Sequence, residues 1–462
     1  KVQREFAGFS GARVLLVQPV KTDGRADAPV VVKLDDSHAI RYEKTCYDNY
    51  VKSTLPPITA RIADPPVVLE ARRIGGLKYT LVGARDITRA QTLYAYARAN
   101  GVAALSAIIT DRIDNTFGVG WWKQRQPYSF HLWQEYEHVL PHALVVEHDP
   151  SLQDTRRVLT PGGAWSRDGS VHVGDVVMLD AFTIHRVYPA QQQVTLAGDT
   201  RPSAAARAQK VIVRGVAQQV AVQGDRAPRL LGRVVETRQD TLNAQARALF
   251  PHLDLAAPTV APLPGSEPLP NPLTAWARLL DTRVNGTLST LHGDLHLGNI
   301  LIDPSGVAWL IDFRWSRDGH TLFDWAVLEV SILADLVAPL AGADLASAAE
   351  TVARLNEPHA AAGALPHPLA EAFEALTALR RVVWECLADL NDQREYHAAL
   401  AMCALRGLGW STVSADARRL LFVVAALSLR AQQGVPGRPD SDITRIQTSS
   451  GSFETRIDPD AG

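Results

Sequence analysis

One short stretch near the middle of this 462-residue chain constrains its fold more than any other feature. It contains an acid, Asp294, then an amide five residues later, Asn299, and then a second acid, Asp312. Two apolar runs, 300–302 and 307–311, separate Asn299 from Asp312 and flank a turn with proline and glycine. Short apolar runs around such a turn predict a β-hairpin, which would hold the amide close to the second acid.

Oxygen-bearing side chains in this order suit phosphoryl transfer from a nucleotide. Asp294 is placed to orient the attacking hydroxyl or to accept its proton. Asn299 and Asp312 would supply the hard oxygen ligands that Mg²⁺ needs beside nucleotide phosphates. Each part alone has a plainer interpretation, since Asp-Leu-His is most often a polar turn and Ile-Asp-Phe occurs in many strands. The prediction therefore depends on the combination.

The same residues carry a resemblance to a known superfamily. His-Gly-Asp-Leu-His-Leu-Gly-Asn-Ile-Leu at 292–301, followed by Ile-Asp-Phe at 311–313, resembles the catalytic and metal-binding loops of aminoglycoside phosphotransferases and choline-kinase-like enzymes. Asp324, twelve residues after Asp312, matches a structural aspartate of those proteins. The resemblance implies an α+β, bilobal protein-kinase-like fold with a β-rich N-lobe and a helical C-lobe. It also implies a phosphotransferase that uses ATP and Mg²⁺.

The resemblance assigns a role to each residue of the motif. Asp294 would be the catalytic base, and Asn299 and Asp312 the metal ligands. His292 and His296 would brace the backbone of the loop and take no part in the reaction.

The same resemblance implies a role for the N-terminal region in binding the nucleotide. Gly8, Ser10 and Gly11 form a glycine-containing turn that would let backbone N–H groups approach the nucleotide phosphates. The plainer alternative for this turn is an ordinary hairpin. The two apolar runs that follow, 12–19 and 30–34, are separated by a polar Gly/Asp turn and predict a hairpin of their own.

Lys33 ends an apolar run of valines and resembles the phosphate-binding lysine of the superfamily. Its plainer alternative is a solvated lysine at a strand end. Glu43, on a predicted helix from about 38 to 52, is the candidate carboxylate partner of Lys33, with Asp48 as the alternative. Lys33 and Glu43 are ten residues apart in the sequence, a short separation compared with many kinases.

The composition excludes several classes of protein. The formal net charge of −2 gives no support to broad binding of nucleic acid or membrane. Three scattered cysteines build neither a disulfide framework nor a zinc site, and they predict a cytoplasmic protein. The apolar run 420–429 has about half the length of a membrane helix. The start lacks both a methionine and a signal-peptide core, so we expect a region of a longer protein.

Changes of pattern divide the chain into predicted segments. Residues 149–250 alternate in short strands with Gly/Asp turns, which predicts an inserted, small β-barrel-like module. The proline-rich stretch 255–272 is predicted to be a linker. The predicted segments are a kinase-like N-lobe at 1–85, a helical part of the C-lobe at 86–148, the β-rich module at 149–250, the C-lobe with the catalytic loops at 270–433, and a flexible tail at 434–462.

The β-rich module leaves two further hypotheses open. With it, the plan of the chain is similar to the kinase-like ternary-complex-associated domains of bacterial conflict or signalling systems. That similarity implies protein partners for the module, and a nucleotide-binding pseudokinase or scaffold as the alternative to an active enzyme. The second hypothesis, that the module binds nucleic acid, is less favoured than a solvated surface. It would use these residues: Arg156, Arg157, Trp165, Tyr188, Arg201, Arg207, Lys210 and Arg214.

The phosphoryl acceptor and the oligomeric state are not specified by the sequence. Where protein kinases have Asp-Phe-Gly, this chain has Arg314 after Asp312 and Phe313, and the following loop is short, which argues against a phosphorylated activation segment. An acidic cleft would suit a cationic acceptor, although acids on a helix also serve as caps or as solvated residues. The acids that follow the metal loop are Asp318, Asp324, Glu329 and Asp335.

Overall fold

The computed structural model describes most of the chain. The described residues are 1–6, 12–56, 59–81, 87–152, 157–199, 203–216, 223–357, 361–363 and 365–434. The predicted glycine turn with Gly8, Ser10 and Gly11 lies outside them, and so does the predicted tail beyond Gly434.

The N-terminal part is an antiparallel sheet in the order β1-β2-β3-β6-β4, with β5 paired to β6. The hairpin predicted from the two apolar runs is confirmed, and it sets Val14 opposite Lys33. Alternation along β3 turns Val31 and Lys33 to the same buried side. The elements of this part are β1 (Val2–Phe6), β2 (Arg13–Val17), β3 (Val30–Asp36), α1 (Ser37–Cys46), β4 (Ala60–Arg61), β5 (Val67–Leu69) and β6 (Ile74–Leu81).

Helix α1 directly follows β3 and packs along the sheet. Its N-cap is Asp36, whose side chain accepts a hydrogen bond from the His38 amide. Ile40, Glu43 and Cys46 repeat every three residues and form its buried stripe. The helix continues into a wider, π-type turn at Tyr47–Val51, so the predicted helix from about 38 to 52 is confirmed.

The connection to the β-rich region contains short helices and two strands, each of which belongs to a separate three-stranded sheet. Trp121 and Trp122 are fully buried here and anchor the connection to the C-lobe core. The elements are β7 (Gln91–Thr92), α2 (Leu93–Asn100), α3 (Leu105–Ala107), a π-type helix (Ile108–Gly118), β8 (Gln126–His131) and α4 (Leu132–Tyr136).

The β-rich region forms one mixed sheet of seven strands, in the order β10-β11-β15-β9-β14-β13-β12. It has a hydrophobic core of its own around Phe182, Leu196 and Val213. Within the described residues no pairing joins the edge strands β10 and β12, so closure into a barrel is not found there. The strands are β9 (Leu144–His148), β10 (Val158–Leu159), β11 (Val176–Leu179), β12 (Thr183–Tyr188), β13 (Gln193–Ala197), β14 (Val211–Arg214) and β15 (Leu230–Thr237).

The stretch 255–272 is not the free linker that its prolines predicted. It contains a two-stranded ladder, and Leu255, Val260 and Leu269 are buried in the main core. The reason is that these apolar side chains recur between the prolines and gain more by burial than the chain loses by being ordered. The elements here are α5 (Arg238–Leu249), β16 (Thr259–Val260), β17 (Leu269–Pro270) and α6 (Pro272–Leu280).

The C-terminal part places the Asp–Asn–Asp motif on short strands above a helical core. The predicted motif hairpin is confirmed as β19 and β20, with Ile300 opposite Leu310. The loop after it pairs back onto β18 as a further strand. The elements are β18 (Arg283–Leu291), β19 (Ile300–Ile302), β20 (Ala308–Leu310), β21 (Arg317–His320), α7 (Phe323–Ile332), α8 (Ala338–Ala341), α9 (Leu345–Leu355), α10 (His367–Cys386), α11 (Arg394–Arg406) and α12 (Ala415–Gln433).

The division of the chain into the predicted segments stays a prediction, although β9, which precedes residue 149, lies at the centre of the seven-stranded sheet. Among the described helices, none has the length and apolar character needed to cross a membrane.

Candidate active site

Three charged side chains meet between the N-terminal sheet and the motif hairpin. The Lys33 ammonium lies 2.8 Å from Oε2 of Glu43 and 2.6 Å from Oδ1 of Asp312. Tyr79, on β6, donates its hydroxyl hydrogen bond to Oε1 of Glu43. Asp48, the alternative partner of Lys33, instead pairs with Lys44 on the surface of the helix. The structure thus brings together β3, α1 and the end of β20 through one lysine.

Burial and pairing set the protonation of this cluster. Burial disfavours a charged Lys33, but Glu43 and Asp312 outweigh that effect and raise the pKa of the ammonium above its usual value. Burial raises the pKa of Glu43 to about 7, because Lys33 only partly offsets the loss of water. Burial also opposes ionisation of Asp312, yet the adjacent ammonium lowers the pKa of this carboxyl. Lys33 and Asp312 are therefore charged near neutral pH.

Asp312 occupies a special backbone position at the end of β20. Its φ is 67°, in the left-handed region that aspartate tolerates better than most residues. The next residue, Phe313, is fully buried against Tyr79 and His292. The buried ring and the left-handed turn together aim the Asp312 carboxylate into the cleft.

The loop that carries Asp294 is held in place by Asp324 at the start of α7. Its Oδ2 accepts hydrogen bonds from the His292 amide at 2.7 Å and from the Trp122 indole at 3.0 Å. Its Oδ1 accepts from the Gly293 amide at 2.8 Å. Gly293 has a φ of 78°, and a Cβ there would collide with the Trp315 carbonyl, so this position requires glycine. Asp324 thus fixes the turn from which Asp294 projects.

Asn299 is tied to the same loop through its amide group. Its Nδ2 donates to the backbone carbonyl of Asp294 at 2.9 Å, which leaves Oδ1 to act as a ligand. The Ile311 amide donates to the Asn299 carbonyl at 3.0 Å, so the two ends of the hairpin are fixed together. His292 donates from Nε2 to the Ile311 carbonyl, while Nδ1 of His296 accepts from the Gly298 amide. Both histidines contact the backbone of the loop.

A cavity of about 310 Å³ opens beside these groups. One part of its wall is apolar and is formed by residues of both lobes, including Val14, Val31 and Leu301. The opposite part carries the polar groups of the motif, which are Lys33, Asp294, Asn299 and Asp312. An apolar slot that ends in convergent charged groups is the usual form of a small-molecule site.

The donor set suits Mg²⁺ better than a metal held by protein alone. Within the described ranges, no group of three or more His, Cys, Asp or Glu side chains could hold a metal ion. Mg²⁺ commonly keeps several waters and takes one or two protein oxygens together with substrate phosphates. Asn299 and Asp312 provide two such oxygens, and Oδ1 of Asp312 also contacts the Lys33 ammonium at 2.6 Å. The residues present therefore fit a magnesium ion that arrives with a nucleotide.

Three further residues of the cleft were missed by the sequence analysis. Arg406, at the end of α11, places Nη1 3.8 Å from Oδ1 of Asp294, and its guanidinium lies 5.7 Å from the Trp410 ring. Nothing in the Ala/Leu-rich sequence around them signals a role. Tyr79 could have been found, because its position in β6 has the inward parity of Leu77 and Leu81.

The acidic cleft suggested by the four acids after the metal loop is not formed. Asp324 holds the catalytic loop, and Glu329 is buried in an ion pair with Arg380 at 2.6 Å. Asp318 is exposed and accepts a hydrogen bond from a neighbouring strand, so only Asp335 lines the cleft. The two buried acids of this group therefore have structural partners: backbone amides and an indole for Asp324, and a guanidinium for Glu329.

Of the described residues proposed for nucleic-acid binding, Trp165 and Arg207 are buried and present no exposed surface for stacking. Trp165 is packed in the core of the sheet and donates its indole N–H to the Thr160 carbonyl. Arg207 is buried, and Arg157 pairs with Asp175. Arg156 and Arg201 lie outside the described residues.

The arrangement of the two parts defines the class of this protein. An antiparallel sheet with a lysine paired to a helix glutamate, above a helical part that carries the Asp–Asn–Asp motif, is the plan of a kinase-like fold. The chain belongs to the family described as Ternary complex associated domain 9, whose profile matches residues 1–409. No curated protein matches the sequence.

The solved structures with some similarity include two small-molecule kinases and an aminoglycoside phosphotransferase. A microcompartment-associated aminopropanol kinase is 12% identical, with 93% of this chain and 91% of that chain covered and a TM-score of 0.32. An aminoglycoside phosphotransferase in ternary complex with ADP and hygromycin B is 13% identical, with 88% and 94% covered and a TM-score of 0.29. A glucosamine kinase is 13% identical, with 93% and 91% covered and a TM-score of 0.25. Scores this low carry no argument about function.

Proposed function

We propose that this protein is an ATP- and Mg²⁺-dependent phosphotransferase of the aminoglycoside phosphotransferase-like class. One observation carries the proposal: Lys33 is buried between Glu43 and Asp312 in a cleft that Asp294 and Asn299 also line. Such a group of three charges is expensive to bury for stability alone, because removing ions from water costs several kcal/mol per ion. A site that neutralises nucleotide phosphates explains why the chain keeps all of them.

Each residue has a role that its geometry supports. Lys33 would bind the nucleotide phosphates as a fixed positive charge, and Glu43 would hold its ammonium in place. Asn299 and Asp312 would hold a magnesium ion, which neutralises charge on the transferred phosphoryl group. Asp294 would orient the acceptor hydroxyl and take its proton. The apolar wall with Val14, Val31 and Leu301 would receive the adenine base. The nature of the acceptor is left open.

Calorimetric titration with ATP tests the nucleotide site directly. The purified chain is titrated with and without Mg²⁺, beside the variants Asp312→Asn and Asp318→Asn. We expect binding that needs Mg²⁺ and is weakened about tenfold or more by Asp312→Asn, since that variant loses a charged ligand. Asp318→Asn changes an exposed acid on the same segment and should bind as the wild type does. Absence of ATP binding under every condition would contradict the proposal.

The alternative is a nucleotide-binding pseudokinase or scaffold whose seven-stranded sheet contacts protein partners. Its support is the large sheet with a separate core and the unassigned acceptor. Asp294→Asn separates the two functions, because this side chain faces the cleft without joining the Lys33 cluster. For an enzyme we expect unchanged ATP binding and ATP turnover about 10³-fold lower. Equal turnover in variant and wild type would favour the scaffold.

A further inference from the structure

A second, smaller cavity lies away from the nucleotide cleft, where three parts of the chain meet. It has a volume of about 30 Å³, enough for one small oxyanion and too small for a nucleoside. Tyr42 of α1 forms one wall, and Arg314 and Trp315, just after the metal-binding Asp312, form another. The third wall belongs to the seven-stranded sheet and its loops, with Arg186, Asp199 and Arg207 among its residues.

Arg207 is the central residue of this cavity. It is 4% exposed, and its guanidinium carbon lies 4.3 Å from the centre of the Trp315 ring. Nε donates a long hydrogen bond of 3.3 Å to the Ser203 carbonyl, whereas the buried Nη1 has no hydrogen-bond partner in the described part of the chain. Burial lowers the pKa of Arg207 to about 10, and nearby arginines add to the effect. The side chain is therefore a buried cation with donors left unused.

Arg314 approaches the same ring from the segment after the metal ligand. Its guanidinium carbon is 5.2 Å from the centre of the Trp315 ring, and its Nε also lacks a partner among the described residues. Nη1 is 3.4 Å from Oδ2 of Asp35, a distant contact that neutralises it only partly. Two guanidinium groups with unused N–H donors thus converge on one aromatic ring.

The charges around the cavity do not balance. Beside Arg207 and Arg314, Arg186 adds a third positive charge to the wall. Burial, followed by the repulsion from Arg207, lowers the pKa of the neighbouring Lys210 to about 7. Asp199 is the one carboxylate among the described lining residues, so the three arginines outnumber it. The cavity therefore carries excess positive charge.

Buried cations without partners are rare because a desolvated charge is costly unless it is paired. Arginine is also the residue whose planar donors match phosphate oxygens in pairs. An anion in this cavity would supply the acceptors that Nη1 of Arg207 and Nε of Arg314 lack, and it would remove the excess charge. A small size, a positive wall and unused inward donors all point to the same kind of ligand.

We propose that this cavity binds one phosphate-type oxyanion between Arg207 and Arg314. The anion joins α1, the segment after Asp312 and the seven-stranded sheet. Since α1 also carries Glu43, an occupied cavity holds the helix in the position that pairs Glu43 with Lys33. The site is thus a regulatory anion site that couples the sheet to the nucleotide cleft. The proposal does not depend on whether the cleft transfers phosphate.

Thermal unfolding with inorganic phosphate tests the proposal. The full chain is heated in increasing phosphate at an ionic strength held constant with sodium chloride, as wild type, as Arg207→Met and as Arg229→Met. Arg229 is an exposed arginine that pairs with Asp180 next to β15, so its variant controls for the loss of a cation on this sheet. We expect phosphate to raise the wild-type Tm by about 2 °C or more, in proportion to the logarithm of its concentration above the Kd, since a ligand that binds only the folded state stabilises it.

The two variants should behave oppositely. Arg229→Met keeps the response to phosphate, whereas Arg207→Met loses it and has a Tm without phosphate at least equal to that of the wild type. Titrations with O-phosphoserine distinguish the source of the anion: a stronger response than to inorganic phosphate indicates an esterified phosphate, and a weaker one a free ion. If neither probe raises the Tm of the wild type, the proposal is overturned. A response that survives Arg207→Met also overturns it, because phosphate would then bind elsewhere, for example at Lys33.

Discussion

Two regions of this molecule bury positive charge in opposite ways. In the cleft that we propose binds a nucleotide, called the nucleotide cleft, Lys33 is 3% exposed and has two carboxylates within 2.8 Å. The junction of α1 with the seven-stranded sheet holds a group of cations that we call the cationic junction and define by Arg207, Lys210 and Arg314. Arg207 and Arg314 face the Trp315 ring, and Arg207 repels Lys210. The first region compensates its charges within the chain, and the second does not.

The difference indicates two kinds of ligand. A cleft whose lysine is already paired is preorganised, so its ligand has to bring both a cation and an anion, as a magnesium–nucleotide complex does. The cationic junction has donors without acceptors, so its ligand needs to bring only an anion. Removing a charge should therefore destabilise the cleft and relieve the junction.

The largest expected effect is at Lys33. Lys33→Met leaves the buried Glu43 and the half-buried Asp312 as neighbouring carboxylates without a cation, and breaking a buried ion pair in this way costs about 3–5 kcal/mol. The free energy of unfolding in urea measures it. The control is Lys44→Met on α1, where Lys44 pairs with Asp48 near the surface. We expect this variant to lose only about 0.5 kcal/mol of unfolding free energy. Similar losses in both variants would mean that the Lys33 cluster stabilises little.

The cleft could largely be predicted from sequence because its motif is local. Asp294, Asn299 and Asp312 lie on one loop and one hairpin, and the hairpin turn sets their distances. Lys33 and Glu43 are likewise joined by a strand and the helix that follows it. Spacing along the chain is enough to place such residues on the correct elements, although their catalytic roles stay predictions.

The cationic junction could not be predicted, since it brings together residues far apart in the chain. Arg314 follows the motif, whereas Arg207 belongs to the sheet, more than a hundred residues earlier. Their meeting depends on how the seven-stranded sheet packs on α1, and no periodicity in the sequence encodes that packing. For the same reason Arg207 and Lys210 were grouped as surface charges in the nucleic-acid hypothesis. The stretch 255–272 was misinterpreted because proline content hid its buried apolar residues.

Replacing Lys210 should change the free energy of unfolding by a smaller amount and in the opposite direction, towards higher stability. Burial lowers its pKa to about 7 in the folded state, below the value near 10.4 of an unfolded chain. The folded state thus binds this proton less tightly, so the penalty is complete below pH 7 and disappears as the pH rises towards 10. Lys210→Met should be more stable than the wild type by about 1–2 kcal/mol at pH 7.

The gain from Lys210→Met should shrink steadily between pH 7 and pH 10, measured as the difference in free energy of unfolding from the wild type. Lys21→Met is the matched control, because Lys21 is exposed and should show no such trend. A constant difference over this range would show that Lys210 is not a strained cation, and the contrast between the two regions would weaken.

The smallest effect sharpens the role of the ring between the two arginines. Trp315→Leu removes the aromatic face that lies 4.3 Å from Arg207, and a cation–π contact of this kind contributes about 0.5–1 kcal/mol or more when desolvated. A double-mutant cycle with Arg207→Met isolates the pair, with unfolding in urea as the measurement. We expect a coupling energy of about 0.5–1 kcal/mol in a buffer without phosphate.

The same cycle in saturating phosphate tells whether the ring substitutes for an anion. If the Trp315 ring is the main group that stabilises the charge of Arg207, a bound phosphate will stabilise the same charge, and the coupling energy between the ring and Arg207 will fall. A cycle between Trp410→Leu and Arg406→Met serves as the control, because that contact, at 5.7 Å, lies in the nucleotide cleft. The coupling energy between Trp410 and Arg406 should not change with phosphate in the way that the coupling energy between Trp315 and Arg207 does. An identical change in both cycles would trace the effect of phosphate to the cleft and remove the distinction between the two regions.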